Sequence, residues 1–372
     1  MLTPHDDFPI HQTALPVAHT VSSDPNHYDR YWFNGYTADG SVFFAAAMGH
    51  YPNRGVVDAS FSIVRHGVQQ SVFASGRMPL DRATRIGPIT ITVVEPLRRI
   101  RLQVGPNDQG ITADVLFDAV TVAIEEPRQT LVRDGRAVMD STRLTQWGRW
   151  EGRINAGGDE IVVRSADTFG TRDRSWGARS VGAPTPTNLP SGLREIFWLW
   201  APVHFDAFCT HMAAFEHANG HRWMSAARYI PHLQSPDSRT WGDDPTEHLN
   251  WWDYDIEWKR GTREIARAVM TSKRLNGSPM SLEFEPMVTF RMRGIGYTHP
   301  HFGHGSAHGE LEIGGETIDL SAVDPEDPTM VHVQTLSRIH SNLGEGVGVL
   351  EQLVFGDHEP TGLKGLVAGF AG

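Results

Sequence analysis

Helical periodicity is scarce along this 372-residue chain, and alternation of apolar with polar residues takes its place. Runs such as Arg99-Ile100-Arg101-Leu102-Gln103-Val104 and Val288-Thr289-Phe290-Arg291-Met292-Arg293 send the two kinds of side chain to opposite faces of a strand. Between such runs sit Asp39-Gly40, Asp134-Gly135, Gly157-Gly158, Asn219-Gly220 and Gly314-Gly315, pairs that tolerate the positive φ of hairpin turns. Strands joined by tight hairpins make a meander, and meanders close into barrels or stack as sandwiches. With few helices between the strands, a Rossmann-type α/β fold is excluded. Gly344-Glu345-Gly346-Val347-Gly348 superficially has dinucleotide-loop glycines but lacks the strand–loop–helix setting that chemistry needs. A mostly-β protein is expected.

The length favours two domains. Residues 182–192 (Gly-Ala-Pro-Thr-Pro-Thr-Asn-Leu-Pro-Ser-Gly) suit neither strand nor helix, which predicts domains at 1–182 and 193–372 joined by a linker at 183–192. Pro231 to Pro245 reads as a long surface loop, either a lid or a plain excursion. A net charge of -11 argues against nucleic acid or an anionic membrane surface as partner. No stretch approaches the roughly 20 apolar residues of a membrane-spanning helix. Met1 to His19 lacks the basic start and apolar run of a secretory leader, so a cytoplasmic location is expected. The single cysteine, Cys209, excludes an internal disulfide and reads as a buried filler rather than a nucleophile.

Two segments concentrate the chemistry. Thr171-Arg172-Asp173-Arg174-Ser175-Trp176-Gly177 and Trp198-Leu199-Trp200-Ala201-Pro202-Val203-His204-Phe205-Asp206 each set a carboxylate near a cation or imidazole and beside aromatic residues. An apolar wall raises a carboxyl pKa and a nearby cation lowers it, so such pairings can make proton donors and acceptors. His204-Phe205-Asp206 has period-two geometry, so His204 and Asp206 project from the same strand face and can share one cavity. Asp206 is then the expected principal acid–base residue, tuned by His204. Asp173, with an Arg on either side, is expected to stay ionised and, with Arg174, to hold or polarise substrate. The bland readings are an Arg-paired turn at Asp173 and a hydrogen-bonded pair at a strand edge for His204 and Asp206.

The Asp173-Arg174-Ser175-Trp176-Gly177 segment, followed by an aromatic strand ending in His204-Phe205-Asp206, resembles the carotenoid 1,2-hydratase family. That group takes in AttH-like proteins and lipocalin-like Diels–Alderases. Its segments read approximately Asp-His-X-Trp-Gly and Tyr-X-Asp, so Asp173, Trp176, Gly177 and Asp206 match. Arg174 stands where the family has His, and His204 where it has Tyr, which alters the proton inventory of the site. The resemblance implies two lipocalin-like β-barrels or bent sheets packed together around an apolar, metal-free pocket. It also implies water addition, isomerisation or cyclisation of unsaturated hydrophobic molecules. Aromatic side chains to line such a pocket are abundant, among them Phe197, Trp251, Trp252 and Trp258.

The remaining constellation, Tyr297 to Glu310, holds His299, His301, His304 and His308. Imidazoles suit Zn, Cu, Ni and Fe, but this spacing fits no established metal motif. The expectation is therefore no metal and no cofactor, with Tyr297, His299 and His301 joining Trp176, Trp198, Trp200 and Phe205 as substrate-binding residues. The leading functional expectation is a cofactor-independent lyase or isomerase, of hydratase, dehydratase or cyclase type. Its substrate would be a small hydrophobic terpenoid, steroid-like or polyketide molecule. A non-catalytic carrier of hydrophobic ligands is the alternative, and a metal-dependent hydrolase using the His-rich loop is the third reading. Two acids beside a cation and an imidazole exceed what a carrier needs.

Overall fold

A computed structural model describes residues 3, 5, 8–182, 195–242 and 245–371. The expected linker at 183–192 lies outside the described residues. Within them the fold is nearly all strand, and helical geometry is limited to short 3-10 turns. No described helix is long and apolar enough to cross a membrane.

Two antiparallel sheets carry the chain. In the first, Phe43–Tyr51 pairs His27–Thr37, which pairs Thr168–Arg179, which pairs the long Arg136–Ala156 strand. The sheet continues from there to Arg85–Ile86 and curls into a nearly closed barrel. The second is a nine-stranded, half-barrel meander in which Gly344–Phe355 returns to pair with Ile196–His204. The protein is thus built of two lipocalin-like units, as expected. One strand crosses over: Leu311–Asp319, from the second half of the sequence, pairs Val68–Arg77 in the first sheet.

The alternation works as read at Arg99–Val104, where Ile100, Leu102 and Val104 are buried and the arginines exposed. Four of the five glycine pairs sit at turns, and at Asp134-Gly135 and Gly157-Gly158 both residues take positive φ. Gly314-Gly315 does not turn. It lies inside Leu311–Asp319, where a Cβ would collide with the Phe302 ring or with Gln109. Gly344 to Gly348 opens a strand, with no helix after it.

The strands that face the other sheet are buried on both sides. In His27–Thr37, Phe33 enters the barrel core with Phe44 and Trp150, whereas Trp32 and Tyr36 pack between the sheets. Ile196–His204 divides likewise: Phe197, Leu199 and Val203 fill the second unit, and Trp198 and Trp200 face the first. Ile196–His204 reads as an almost continuous apolar run because neither face meets water. Residues 233–240 dock on the first unit, through Leu233 to Val120, Ser238 to Arg98 and Thr240 to Ala123. That packing is a strap across the junction.

Candidate functional site

Between the sheets lies a cavity of about 600 Å³, within the size range of small-molecule sites. Its apolar wall includes Met139, Trp198, Phe215 and Leu353; its polar wall includes Arg143, Arg179, Tyr297, His304, His332 and Glu351. The residues 296–306 close one side. Thr298 in that wall has φ 54, a strained conformation for a β-branched residue, held by its hydroxyl bonding to the Thr329 carbonyl.

Glu351 organises the polar wall. Its Oε1 accepts from Trp198 Nε1 and His332 Nε2, each at 2.9 Å, and its Oε2 accepts from Gln334 Nε2 at 2.6 Å. Burial pushes its pKa up, but the His332 bond and charge, Gln334 and Arg143 reverse this and leave it lowered. Gln334 Oε1 in turn accepts from Asn34 Nδ2, tying the group to the first sheet. An ionised carboxylate only accepts, so His332 Nε2 carries the proton in this pair. His332 Nδ1 is buried without a partner among the described residues.

Asp173 is placed between the sheets by strand periodicity. It lies opposite Trp32 and Thr145, whereas Arg172 and Arg174 point to the other face of the sheet. Arg174 pairs with Asp29 at 2.7 Å over the Tyr31 ring, and Arg172 donates to Gln146. The flanking arginines therefore do not hold Asp173 ionised, contrary to the sequence expectation. Burial instead raises it to about 6, against the pull of Arg143 and Arg30, with Glu126 and Glu351 adding to the rise. Its nearest cation is Arg143, whose Nε is 4.0 Å from Oδ2.

Arg143 also faces Glu126 at 3.9 Å and lies over the Trp198 ring. Fully buried Glu126 accepts from Thr145 and from Trp200 Nε1. Burial works to raise it, yet Arg143 and His211 overcome that and hold it at about 2. Arg179 lies over Tyr28 and Tyr297, with its Nε and Nη2 shut from solvent and unpartnered among the described residues. Arg30 Nη2 and the Ile295 carbonyl each lie 2.9 Å from His304 Nε2; burial, then Arg30 and Arg179, keep that imidazole neutral, its pKa well below the ordinary value.

The other segment is built differently. The strand ends at His204, so Asp206 falls in the turn before Phe208–Glu216 and is exposed. The period-two argument fails there because period two needs a strand. His204 is buried against Tyr36 and Phe169, with Nε2 bonded to the Gly170 carbonyl; burial above all holds it neutral, down to about 3. Phe205 packs in the second core on Phe208, and Cys209 is buried, its pKa pushed up by burial. Trp176 is 40% exposed and is not among the residues lining the cavity between the sheets. Of the expected substrate-binding residues, Trp198, Tyr297 and His299 line the cavity; Trp200 sits behind it on Glu126, and His301 is exposed.

Sequence reasoning missed Arg143, Arg179, His332, Gln334 and Glu351. The signal was Glu351-Gln352 interrupting the apolar run Val347 to Phe355, where an acid has no reason to be buried unless paired.

A family model described as "Family of unknown function (DUF8625)" matches residues 2–364. No curated protein matches the sequence. Among solved structures, an AttH candidate from Nitrosomonas europaea is 12% identical, with a TM-score of 0.52, covering 93% of this chain and 98% of that one. Kievitone hydratase from Nectria haematococca is 13% identical at a TM-score of 0.49, covering 87% and 88%. CghA with Sch210972 is 10% identical at 0.44, covering 89% of each chain.

Proposed function

We propose, on the premise that this chain belongs to the DUF8625 family and shares the fold of the AttH candidate, that it is a cofactor-independent lyase or isomerase. Its substrate is a hydrophobic, unsaturated molecule carrying one oxygen-bearing end. The observation that carries this reading is a carboxylate-oriented imidazole in the cavity wall, His332, whose Nδ1 has no partner among the described residues; behind Arg143 of the same wall lies Asp173, a carboxyl raised to about 6.

Glu351 fixes His332 as the Nε2–H tautomer, which leaves Nδ1 as a lone-pair base. Asp173, at about 6, retains a proton for part of the time near neutral pH and can give it up. Two titratable groups held apart in this way supply an acid and a base at once. With the base taking a proton beside a carbonyl, the acid can protonate a leaving hydroxyl or the far end of the alkene. The first outcome is dehydration, its reverse is hydration, and the second is isomerisation. The unpartnered N–H groups of Arg179 would hold the substrate oxygen and stabilise charge developing on it. Trp198, Phe215 and Met139 would receive the hydrocarbon.

The test is incubation in D2O with a panel of hydrophobic enones and β-hydroxy ketones, read by mass spectrometry and proton NMR. Deuterium entering a carbon position, with or without gain or loss of water, is the expected result. Binding in the cavity without exchange on any substrate would leave the carrier reading in its place.

A further inference from the structure

We propose that His301, His308 and Glu312 form a binding site for a zinc-class transition metal, on the loop that walls the cavity. The inference is independent of the chemistry assigned to the cavity. His301 Nε2 lies 2.7 Å from Glu312 Oε1, and His308 Nδ1 lies 2.9 Å from Glu312 Oε2. One ligand atom from each of the three residues falls within 4.8 Å of the other two.

His308 Nε2 is 3.0 Å from the His301 backbone carbonyl, which can only accept, so that nitrogen carries a hydrogen and Nδ1 is the atom turned to Glu312. A ring that gives one N–H to a carbonyl and turns the other nitrogen to the site is the usual posture of a ligating histidine.

The arms are held before any ion arrives. Phe302, beside His301, stacks on Phe73 at 5.2 Å and 6°, in the space that Gly314 leaves by lacking a Cβ. Gly305 N–H donates to Asp58 and Ser75 Oγ to the Ser306 carbonyl. His308 is largely buried, whereas His301 is exposed and free to swing outward to the spacing that 2.0–2.1 Å Zn–N bonds require. Two imidazoles and one carboxylate suit zinc and its neighbours, not calcium or magnesium, and leave a fourth position for water. The third ligand comes from the strand Leu311–Asp319, beyond the loop, which is why the loop histidines alone match no metal spacing. A bound ion would clamp the loop carrying His299, Pro300 and His304, all in the cavity wall, to the first sheet.

The experiment uses tag-free full-length protein, stripped with chelator and titrated with Co²⁺ and then Zn²⁺, read by cobalt absorption and calorimetry. One Co²⁺ per chain with tetrahedral absorption, displaced by Zn²⁺, is expected. Glu312→Gln and His308→Ala should each weaken binding by at least about 100-fold, since an outer-shell change alone costs 10- to 100-fold. Circular dichroism of both metal-free variants should match wild type, and Zn²⁺ should raise Tm in wild type only. No uptake by wild type would overturn the proposal. So would uptake unchanged in a folded His301→Ala/His308→Ala double variant.

Discussion

Two parts of this molecule offer a carboxylate, an imidazole and aromatic rings, and they end in opposite environments. Asp173 lies between the sheets, raised to about 6 by burial, behind Arg143 of a cavity wall that also holds the Glu351–His332 pair. Asp206 lies in a turn in water, and its neighbour His204 is locked neutral against the Gly170 carbonyl. The difference is not in residue types but in whether the strand continues. Inside a strand that is buried on both faces, every second side chain meets the other sheet; two residues past its end, a carboxylate meets solvent. A carboxyl group becomes a proton donor through what surrounds it.

The contrast can be broken most directly in turnover. His332→Gln and Asp173→Asn should each lower kcat by a factor on the order of 10² to 10⁴, the usual worth of an acid–base group. Asp206→Asn should leave kcat unchanged on a substrate found by the D2O screen. A large loss in Asp206→Asn alone would invert the comparison. In stability, Glu126→Gln takes the counter-charge from buried Arg143 and should cost about 3–5 kcal/mol by urea unfolding, whereas Asp206→Asn should stay within about 0.5 kcal/mol.

Acid–base linkage sharpens the same point. A carboxyl moved by burial from 3.8 to about 6 binds its proton more tightly in the folded protein. Its contribution is fully present below about pH 4 and is lost as pH rises through about 6, an amount on the order of 3 kcal/mol. Wild type should therefore lose stability relative to Asp173→Asn across that window; parallel curves for the two would place Asp173 in water. The smallest effect concerns the indoles. Trp198→Phe keeps the ring but loses the N–H to Glu351 and should cost about 1.5–3 kcal/mol, and Trp176→Phe, on the surface, should be silent in thermal unfolding.

The β architecture was legible because alternation and paired glycines are local signals, present at Arg99–Val104 and at the 134–135 and 157–158 turns. Gly314-Gly315 deceived because glycine also serves where a ring needs room, and only the packing of Phe302 distinguishes the two uses. Of the site, Asp173, Trp198, Tyr297 and His299 could be found from sequence. Their roles could not, since Asp173's neighbours in sequence are not its neighbours in space. Arg143, His332 and Glu351 come from separate segments up to about 200 residues apart, and their meeting follows from how the sheets stack.

The strand Leu311–Asp319 gives the two halves a shared fate during synthesis. The barrel side of Val68–Arg77 is made early on the ribosome, but its covering partner emerges some 240 residues later. Until then that edge offers a row of unpaired backbone N–H and C=O groups, the template on which nascent chains join one another. A gene cut after Gly182 would yield a protein with that edge permanently bare, prone to sheet-to-sheet aggregation. The first unit matures only when the second has nearly been completed.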